Sequence, residues 1–329
     1  MSHPIWPDMT RAIQSAQTIA ISGHTNPDGD CLGSILGLGL SLEAMGKTVD
    51  MVHNETPRHL SYIPGFDRLV SVNKDKTYDL FIMVDLGDRE RLKDSAVLLD
   101  QAKTSLNFDH HQVNEGVCDL TCQIKTASST CEIIADFLID QGFDLPKEAA
   151  TALFAGITTD SNRFLYDTAG ARCLRLAADL MDRGADPGWV YLHEYQSVEP
   201  RLFAFKGAVV ERATFLQEGK VVLATVTQED LKHYNITMGE AEGVVDVLRN
   251  LEGVEVACLL KETGKEETKL SLRSKRFFSV ESVARAFGGG GHIKAAGATL
   301  DLPKDKALET MTQHFEDLDP QELTMSEGE

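Results

Sequence analysis

The sequence predicts an α/β protein of two domains: an N-terminal, mostly parallel sheet with helices on both faces, joined by a linker to a smaller α+β domain. Three observations predict it. From Thr18 to Gly184, short apolar runs of strand length alternate with stretches of helical periodicity, the pattern of strands paired in parallel through crossover helices. That rhythm breaks from Asp186 to Pro200, which holds two prolines, Gly188 and few periodic apolar positions. The chain has 329 residues, too many for one ordinary domain and comfortable for two.

Taken in order, Thr18 to Gly23 reads as a buried strand, Cys31 to Met45 as a helix closed by Gly46, and Lys47 to Val52 as the next strand. Asp79 to Val84 and Thr104 to Phe108 are further strands. Helical patterns cover Ser129 to Gln141, Lys147 to Ile157 and Ala169 to Arg183, the last ended by Gly184. In the second half, Phe203 to Glu211 fits a helix or a strand. Lys220 to Thr227, Glu255 to Lys261, Lys269 to Arg273 and Ala295 to Leu300 read as strands, and Glu240 to Asn250 and Val280 to Ala286 as helices. The expected division is a first domain over 1–190, a linker over 191–200, a second domain over 201–318 and an acidic tail over 319–329.

Composition narrows the function. The apolar content is 42% and the charged content 25%, as in globular proteins, and no apolar run reaches the length of a membrane span. Met1 to Arg11 lacks the apolar core of an export signal, so the expected setting is cytoplasmic, with no membrane partner. Six scattered cysteines (Cys31, Cys118, Cys122, Cys131, Cys173 and Cys258) read as reduced, partly buried thiols; Cys118 and Cys122 lack the second ligand pair of a structural zinc site. The formal net charge of −19 excludes a binder of long duplex nucleic acid, which needs a basic footprint. An anionic substrate must be small and met by local cations.

Four segments carry the chemistry. His24-Thr-Asn-Pro-Asp28-Gly-Asp30 follows the first strand, and Pro27 and Gly29 shape a turn that can aim both carboxylates at one spot. Asp85 ends the apolar run from Asp79. Asp109-His110-His111 ends the run from Thr104, and Asp160 follows the apolar helix. Each alone reads equally as a turn, a strand end or a cap. Together they place Asp and His at three strand ends and one helix end. Carboxylates with a minority of imidazoles suit Mn²⁺ or Mg²⁺. Two divalent cations would keep Asp28, Asp30, Asp85 and Asp160 ionised in one cleft.

These motifs, in this order, resemble those of the DHH phosphoesterases. Gly288-Gly-Gly-Gly291-His292 followed by Ala295-Ala-Gly297 resembles the glycine-rich motif of the associated C-terminal domain, DHHA1, and Ser271-Leu-Arg273-Ser274 resembles a substrate-contacting segment of it. The resemblance runs from about residue 15 to 318 and is nearest to the nanoRNase and pAp phosphatase (NrnA-like) subgroup. It implies that His24 and Asp28 bind one metal, that Asp30, His110 and Asp160 bind the other, and that Asp85 bridges them. It further implies that Asp109 orients a neighbouring imidazole, that His111 faces the substrate phosphate, and that Arg163 stabilises phosphoryl charge. Many relatives have Asp-Thr-Gly where this chain has Asp160-Ser161-Asn162, so the ligand is kept, while the resemblance does not fix the loop shape and substrate preference.

In the second domain the resemblance places Arg273 and Ser274 on a terminal phosphate, and Gly289, Gly290, Gly291 and His292 around the nucleotide. Lys269, Lys275 and Arg276 add local positive charge. Read without the family, the glycine run is equally a flexible turn. The implied activity is hydrolysis, with two divalent cations (Mn²⁺ ahead of Mg²⁺), of short oligoribonucleotides or 3′-phosphoadenosine 5′-phosphate (pAp). The substrate is expected between the domains, with hinge closure near 186–200. The alternative is a linear or cyclic dinucleotide phosphodiesterase. Further down rank a manganese-dependent pyrophosphatase, which would not be expected to carry the glycine-rich motif, and a silent nucleotide sensor, which would be expected to have lost a ligand. A long-strand exonuclease conflicts with the charge. A homodimer is expected by analogy alone.

Overall fold

The computed structural model describes residues 3–323. The chain divides into two units, residues 1–197 and 198–329. The first contains α1 (Trp6–Ser15), β1 (Thr18–Ser22), α2 (Gly29–Ala44), β2 (Thr48–Val52), β3 (Leu69–Val70), β4 (Leu80–Val84), α3 (Ala96–Gln101), β5 (Thr104–Asp109), β6 (Leu120–Gln123), α4 (Thr130–Asp140), α5 (Lys147–Asp160), α6 (Ala171–Asp182) and α7 (Pro187–Tyr195). Its six strands lie in the order β3-β2-β1-β4-β5-β6, every pair parallel. The order reverses between β1 and β4. That switch point is where an open α/β sheet leaves a crevice beyond its carboxyl ends. One face packs on α1, α2, α4 and α5 around Ile19, Ile21, Ile82 and Phe108; the other packs on α3 around Ala20, Phe81 and Met83.

Close packing of α2 on α5 brings two distant acids together. A Cβ on Gly29 would meet Thr159, one on Gly33 would meet Ala152 and Gly156, and one on Gly37 would meet Leu153 and Ala149. The register runs antiparallel, so the start of α2, at Asp30, lies against the end of α5, at Asp160. Glycine every fourth residue keeps one face of α2 flat enough for this approach.

The second unit contains α8 (Pro200–Glu211), β7 (Thr214–Leu216), β8 (Val221–Val226), α9 (Gln228–Tyr234), α10 (Met238–Glu242), α11 (Val244–Arg249), β9 (Val256–Gly264), β10 (Glu267–Ser274), α12 (Val280–Ala286), β11 (Gly290–His292), β12 (Ala295–Leu300) and α13 (Lys304–Glu316). Its sheet has the order β11-β12-β10-β9-β8-β7, with β8 and β9 parallel and the other pairs antiparallel. Leu260, Leu270 and Leu272 face α12 and α13, while Ala257 and Leu259 face α8 and α11.

Several boundaries differ from the sequence reading. Asp160 is the last residue of α5 rather than a residue beyond it. Gly243 divides the expected Glu240 to Asn250 helix into α10 and α11. Helix α7 occupies the first half of the expected linker, and the units divide between Ser197 and Val198. The sequence reading passed over α1 and α13, although Trp6, Met9 and Ile13, and Ala307, Met311 and Phe315, are buried at helical spacing. It also passed over α9 and β6; β6 buries only Cys122 and so has no apolar run. Of the expected acidic tail, residues 320–323 form a 3₁₀ turn with Leu323 buried, and 324–329 lie outside the described residues. All six cysteines are buried and free. Among the described residues no helix is long and apolar enough to cross a membrane.

Candidate active site

The ends of β1, β4 and β5 and the termini of α2 and α5 converge on one acidic cluster. His24 Nε2 lies 3.2 Å from Asp85 Oδ2 and 4.0 Å from Asp28 Oδ1. His110 Nε2 lies 3.5 Å from Asp85 Oδ1, 3.5 Å from Asp160 Oδ2 and 3.9 Å from Asp30 Oδ2. Three sets of donor atoms are close enough to share an ion: His24 with Cys31 and Asp85; Asp85 with His110 and His111; and Asp30 with His110 and Asp160. Asp85 belongs to two of them.

Local structure aims each group. Asp28 caps α2, its Oδ1 accepting from the N–H groups of Asp30 and Cys31. Asp85 is 2% exposed and holds a left-handed backbone (φ 62°), a strained conformation that turns the chain directly after β4. Asp109 is buried and accepts from His111 twice, from Nδ1 at 2.8 Å and from the backbone N–H at 3.1 Å, while Asn114 donates to its other oxygen at 2.7 Å. Burial pushes the Asp109 carboxyl up, but these hydrogen bonds outweigh it and hold the group below its ordinary range.

The electrostatics show what the cluster needs. Burial, then the charges of Asp30 and Asp28, push the Asp85 carboxyl well above its ordinary range. Burial and Asp30 push Asp160 up to about 7. Burial opposes a charge on His110, but Asp30, Asp160 and Asp85 outweigh it and raise its pKa. A site whose carboxylates resist ionisation until positive charge is supplied fits divalent cations, and its oxygen-rich, imidazole-containing donors fit hard or borderline ones.

Sequence reasoning missed the groups that grip this cluster from behind. The N-terminus of α4 donates Thr130 N–H to Asp30 Oδ2 (2.7 Å) and Cys131 N–H to Asp30 Oδ1 (2.8 Å), and Thr130 Oγ1 bonds Asp85 Oδ1 (3.0 Å). The signal was Ser128-Ser-Thr130 before a helical pattern, with Ser129 capping α4. His53, buried after β2, reaches the His24 carbonyl at 3.0 Å. Arg163 is exposed, in a left-handed run with Asn162 and Phe164. Its guanidinium lies over the Tyr195 ring and contacts Asn162, and among the described residues it forms no ion pair with the clustered carboxylates.

The second unit holds a groove of about 610 Å³ lined by Glu242, Lys269, Ser271, Arg273, Gly288 to Gly291 and Ala295 to Thr299. Gly289 and Gly291 are obligatory there, because a Cβ would strike the carbonyls of Gly297 and Ala295 respectively. Strand alternation decides the rest. Arg273 faces the groove, whereas Ser274 is 1% exposed and absent from its lining; Ser271, two residues before Arg273, is the serine the structure brings there. His292 is exposed just beyond Gly291. Lys275 and Arg276, expected to add local positive charge, are not among the residues that line the groove: Lys275 Nζ donates to the Leu251 carbonyl, and Arg276 lies over Phe277 and 3.5 Å from Glu255.

Residues 18–157 match the model of the DHH family, N-terminal domain, and residues 218–318 that of the DHHA1 domain. The bifunctional oligoribonuclease and PAP phosphatase NrnA of Mycoplasma genitalium is 31% identical over 303 residues, covering 89% of this chain and 92% of that protein. The chain belongs to the DHH/DHHA1 phosphoesterase family. The protein of the same description from Thermus thermophilus is 29% identical over 309 residues, 90% of this chain and 88% of its own. A crystal structure of an exopolyphosphatase-related protein from Bacteroides fragilis matches with a TM-score of 0.89 over 97% of both chains, at 24% identity, and so shows the same fold. As a member of this DHH/DHHA1 family, the chain is a metal-dependent phosphoesterase.

Proposed function

We propose that this phosphoesterase hydrolyses very short oligoribonucleotides and pAp, using two divalent cations, Mn²⁺ ahead of Mg²⁺. The observation that carries the reading is the convergence of six Asp and His side chains on one cluster in the first unit; the second unit holds a separate glycine-lined groove with its own cations. The description shared by the relatives supports the substrate class. His24 and Asp28 would hold one ion, Asp30, His110 and Asp160 the other, with Asp85 common to both. Bound there, the cations would acidify water for attack on phosphorus and offset charge on the phosphoryl oxygens.

The chain's own groups do the remaining work. Thr130 and the α4 N-terminus hold Asp30 and Asp85 in place. Asp109 accepts a hydrogen bond from Nδ1–H of His111, which orients the ring and leaves Nε2 to meet a phosphoryl or leaving oxygen. Arg163 would meet phosphoryl charge by leaving its Tyr195 contact. The DHH unit supplies chemistry, and the DHHA1 groove, through Arg273, Gly289 to Gly291 and His292, holds the nucleotide. The cytoplasmic setting and a homodimer belong to this proposal.

Substrate length tests it. The chain carries a net charge of −19, and the groove offers Lys269 and Arg273 and no row of stacking aromatics. Catalytic efficiency should fall at least tenfold as 5′-labelled RNA lengthens from two nucleotides to about ten, in a Mn²⁺ panel that also contains pAp, linear and cyclic dinucleotides and pyrophosphate. Efficiency rising with length would replace this reading with a processive exonuclease.

Division of labour gives a second expectation. Arg273→Ala should raise KM for a dinucleotide about tenfold, the scale of one charged hydrogen bond. A nitrophenyl phosphodiester, with fewer contacts in the groove, should be affected less. Equal losses on both substrates would show that Arg273 serves the chemistry or the fold.

A further inference from the structure

The groove of the second unit contains one group that phosphate binding does not explain. On the face of the sheet that carries the groove, β9, β10 and β12 align Lys261, Lys269, Ser271, Arg273, Ala295, Gly297 and Thr299. Cations and small residues are what an anionic ligand asks for. Glu242, at the end of α10, places a carboxylate among them. Its Oε1 accepts from Ser271 Oγ at 2.7 Å, and its Oε2 pairs with Lys261, which is 1% exposed. A buried lysine on one oxygen and a hydroxyl on the other fix the orientation of this carboxylate. Its side chain is still 40% exposed, so it is not merely the concealed counter-ion of Lys261.

An ionised carboxylate only accepts hydrogen bonds and repels phosphate. A ligand in this groove must therefore present a donor to Glu242 while its phosphate lies elsewhere. The spacing says where. Ser271, which holds Glu242, and Arg273 leave one strand face two residues apart, their backbone positions roughly 7 Å from one another. That is about the separation between a nucleotide's phosphorus and the hydroxyls of its own sugar. An acidic side chain reading a ribose 2′-hydroxyl beside a phosphate site is a known physical solution in dinucleotide-binding folds.

We propose that Glu242 is a specificity-determining residue that accepts a hydrogen bond from the ribose 2′-hydroxyl of the nucleotide whose phosphate lies on Arg273, so that the groove selects ribonucleotides over deoxyribonucleotides. This deepens the nucleotide reading above and rests on it. The carboxylate is set by contacts within the protein before any ligand arrives, so a ligand without the hydroxyl leaves it facing a gap or a water.

Binding and turnover separate the two claims. The full chain in chelator is titrated calorimetrically with the dinucleotide pApA and its 2′-deoxy counterpart. The ribo form should bind about tenfold more tightly, the scale of one hydrogen bond to a charged acceptor. Glu242→Gln, which keeps the shape and the Ser271 contact, should bring that ratio to within about twofold of unity, mainly by weakening the ribo form. Equal affinities in the wild type, or binding of neither ligand, overturn the proposal whatever the variant does. A ratio unchanged in the variant, or equal losses on both ligands, overturns it as well. So does a variant that alters discrimination between guanosine and inosine dinucleotides instead, because the carboxylate then reads a base amino group. Turnover of pApA with Mn²⁺ is scored separately. Ribo-selective binding without hydrolysis would defeat the phosphoesterase reading of this substrate and leave the role of Glu242 standing.

Discussion

Replacing Asp85 by Asn should lower kcat/KM on a dinucleotide at least 10³-fold, about the scale of losing one preorganised electrostatic element of an active site, while the protein stays folded. Asp85 is the carboxylate shared by two of the three donor sets, with its oxygens 3.2 Å from His24 and 3.5 Å from His110. Asn keeps the side-chain shape, the contact with Thr130 and tolerance of the left-handed backbone at φ 62°. It removes only the charge. Asp85→Ala should be equally inactive, but it adds backbone strain and an orphaned Thr130 hydroxyl, so the Asn variant isolates the electrostatic role. Because burial, Asp30 and Asp28 all oppose ionisation of Asp85, the Asn variant should melt no lower than the wild type in chelator. Turnover within tenfold of wild type at saturating Mn²⁺ would remove Asp85 from the site.

Removing divalent cations should abolish turnover and lower the melting temperature, by more at high pH than at low pH. Without cations, the folded protein holds protons on Asp85 and Asp160 that the unfolded chain has already released, because burial and neighbouring charge raise both groups, Asp160 to about 7. His110 acts with the same sign: its pKa is raised against burial by Asp30, Asp160 and Asp85, and that stabilisation is lost as it deprotonates. The folded state thus binds more protons than the unfolded one, so stability falls as pH rises from the ordinary carboxylate range through about 7. Bound cations replace those protons and remove the dependence. At a hundredfold excess over Kd, each bound Mn²⁺ should contribute about 2.7 kcal/mol, roughly 5–10 °C for a domain of this size. The gap between melts in Mn²⁺ and in chelator should widen from pH 5.5 to pH 8. A gap that is constant or narrows over this range would contradict the charge arrangement described for the cluster.

Much of this was legible in the chain. Short apolar runs ending in Asp85 and in Asp109-His110-His111 are strands buried on both faces, and in a parallel sheet such strands deliver their terminal residues to one edge. The two-domain α/β architecture and the residue types of the acidic cluster follow from periodicity and composition, which are local properties. What lies between the acids was not legible. The approach of Asp30 to Asp160 depends on Gly29, Gly33 and Gly37 flattening α2 against α5, and the support of Asp30 depends on α4 starting at Thr130. Those contacts join residues about a hundred positions apart, and no local pattern records them. The face assignments of β10 were likewise decided by register. Ser271 and Arg273 reach the groove while Ser274 turns into the core, because side chains alternate along a strand and only pairing with β9 and β12 settles which parity faces the groove. Glu242 was invisible for the same reason: at the end of a five-residue helix it is an ordinary surface acid, until the folded sheet sets it against Ser271 and the buried Lys261.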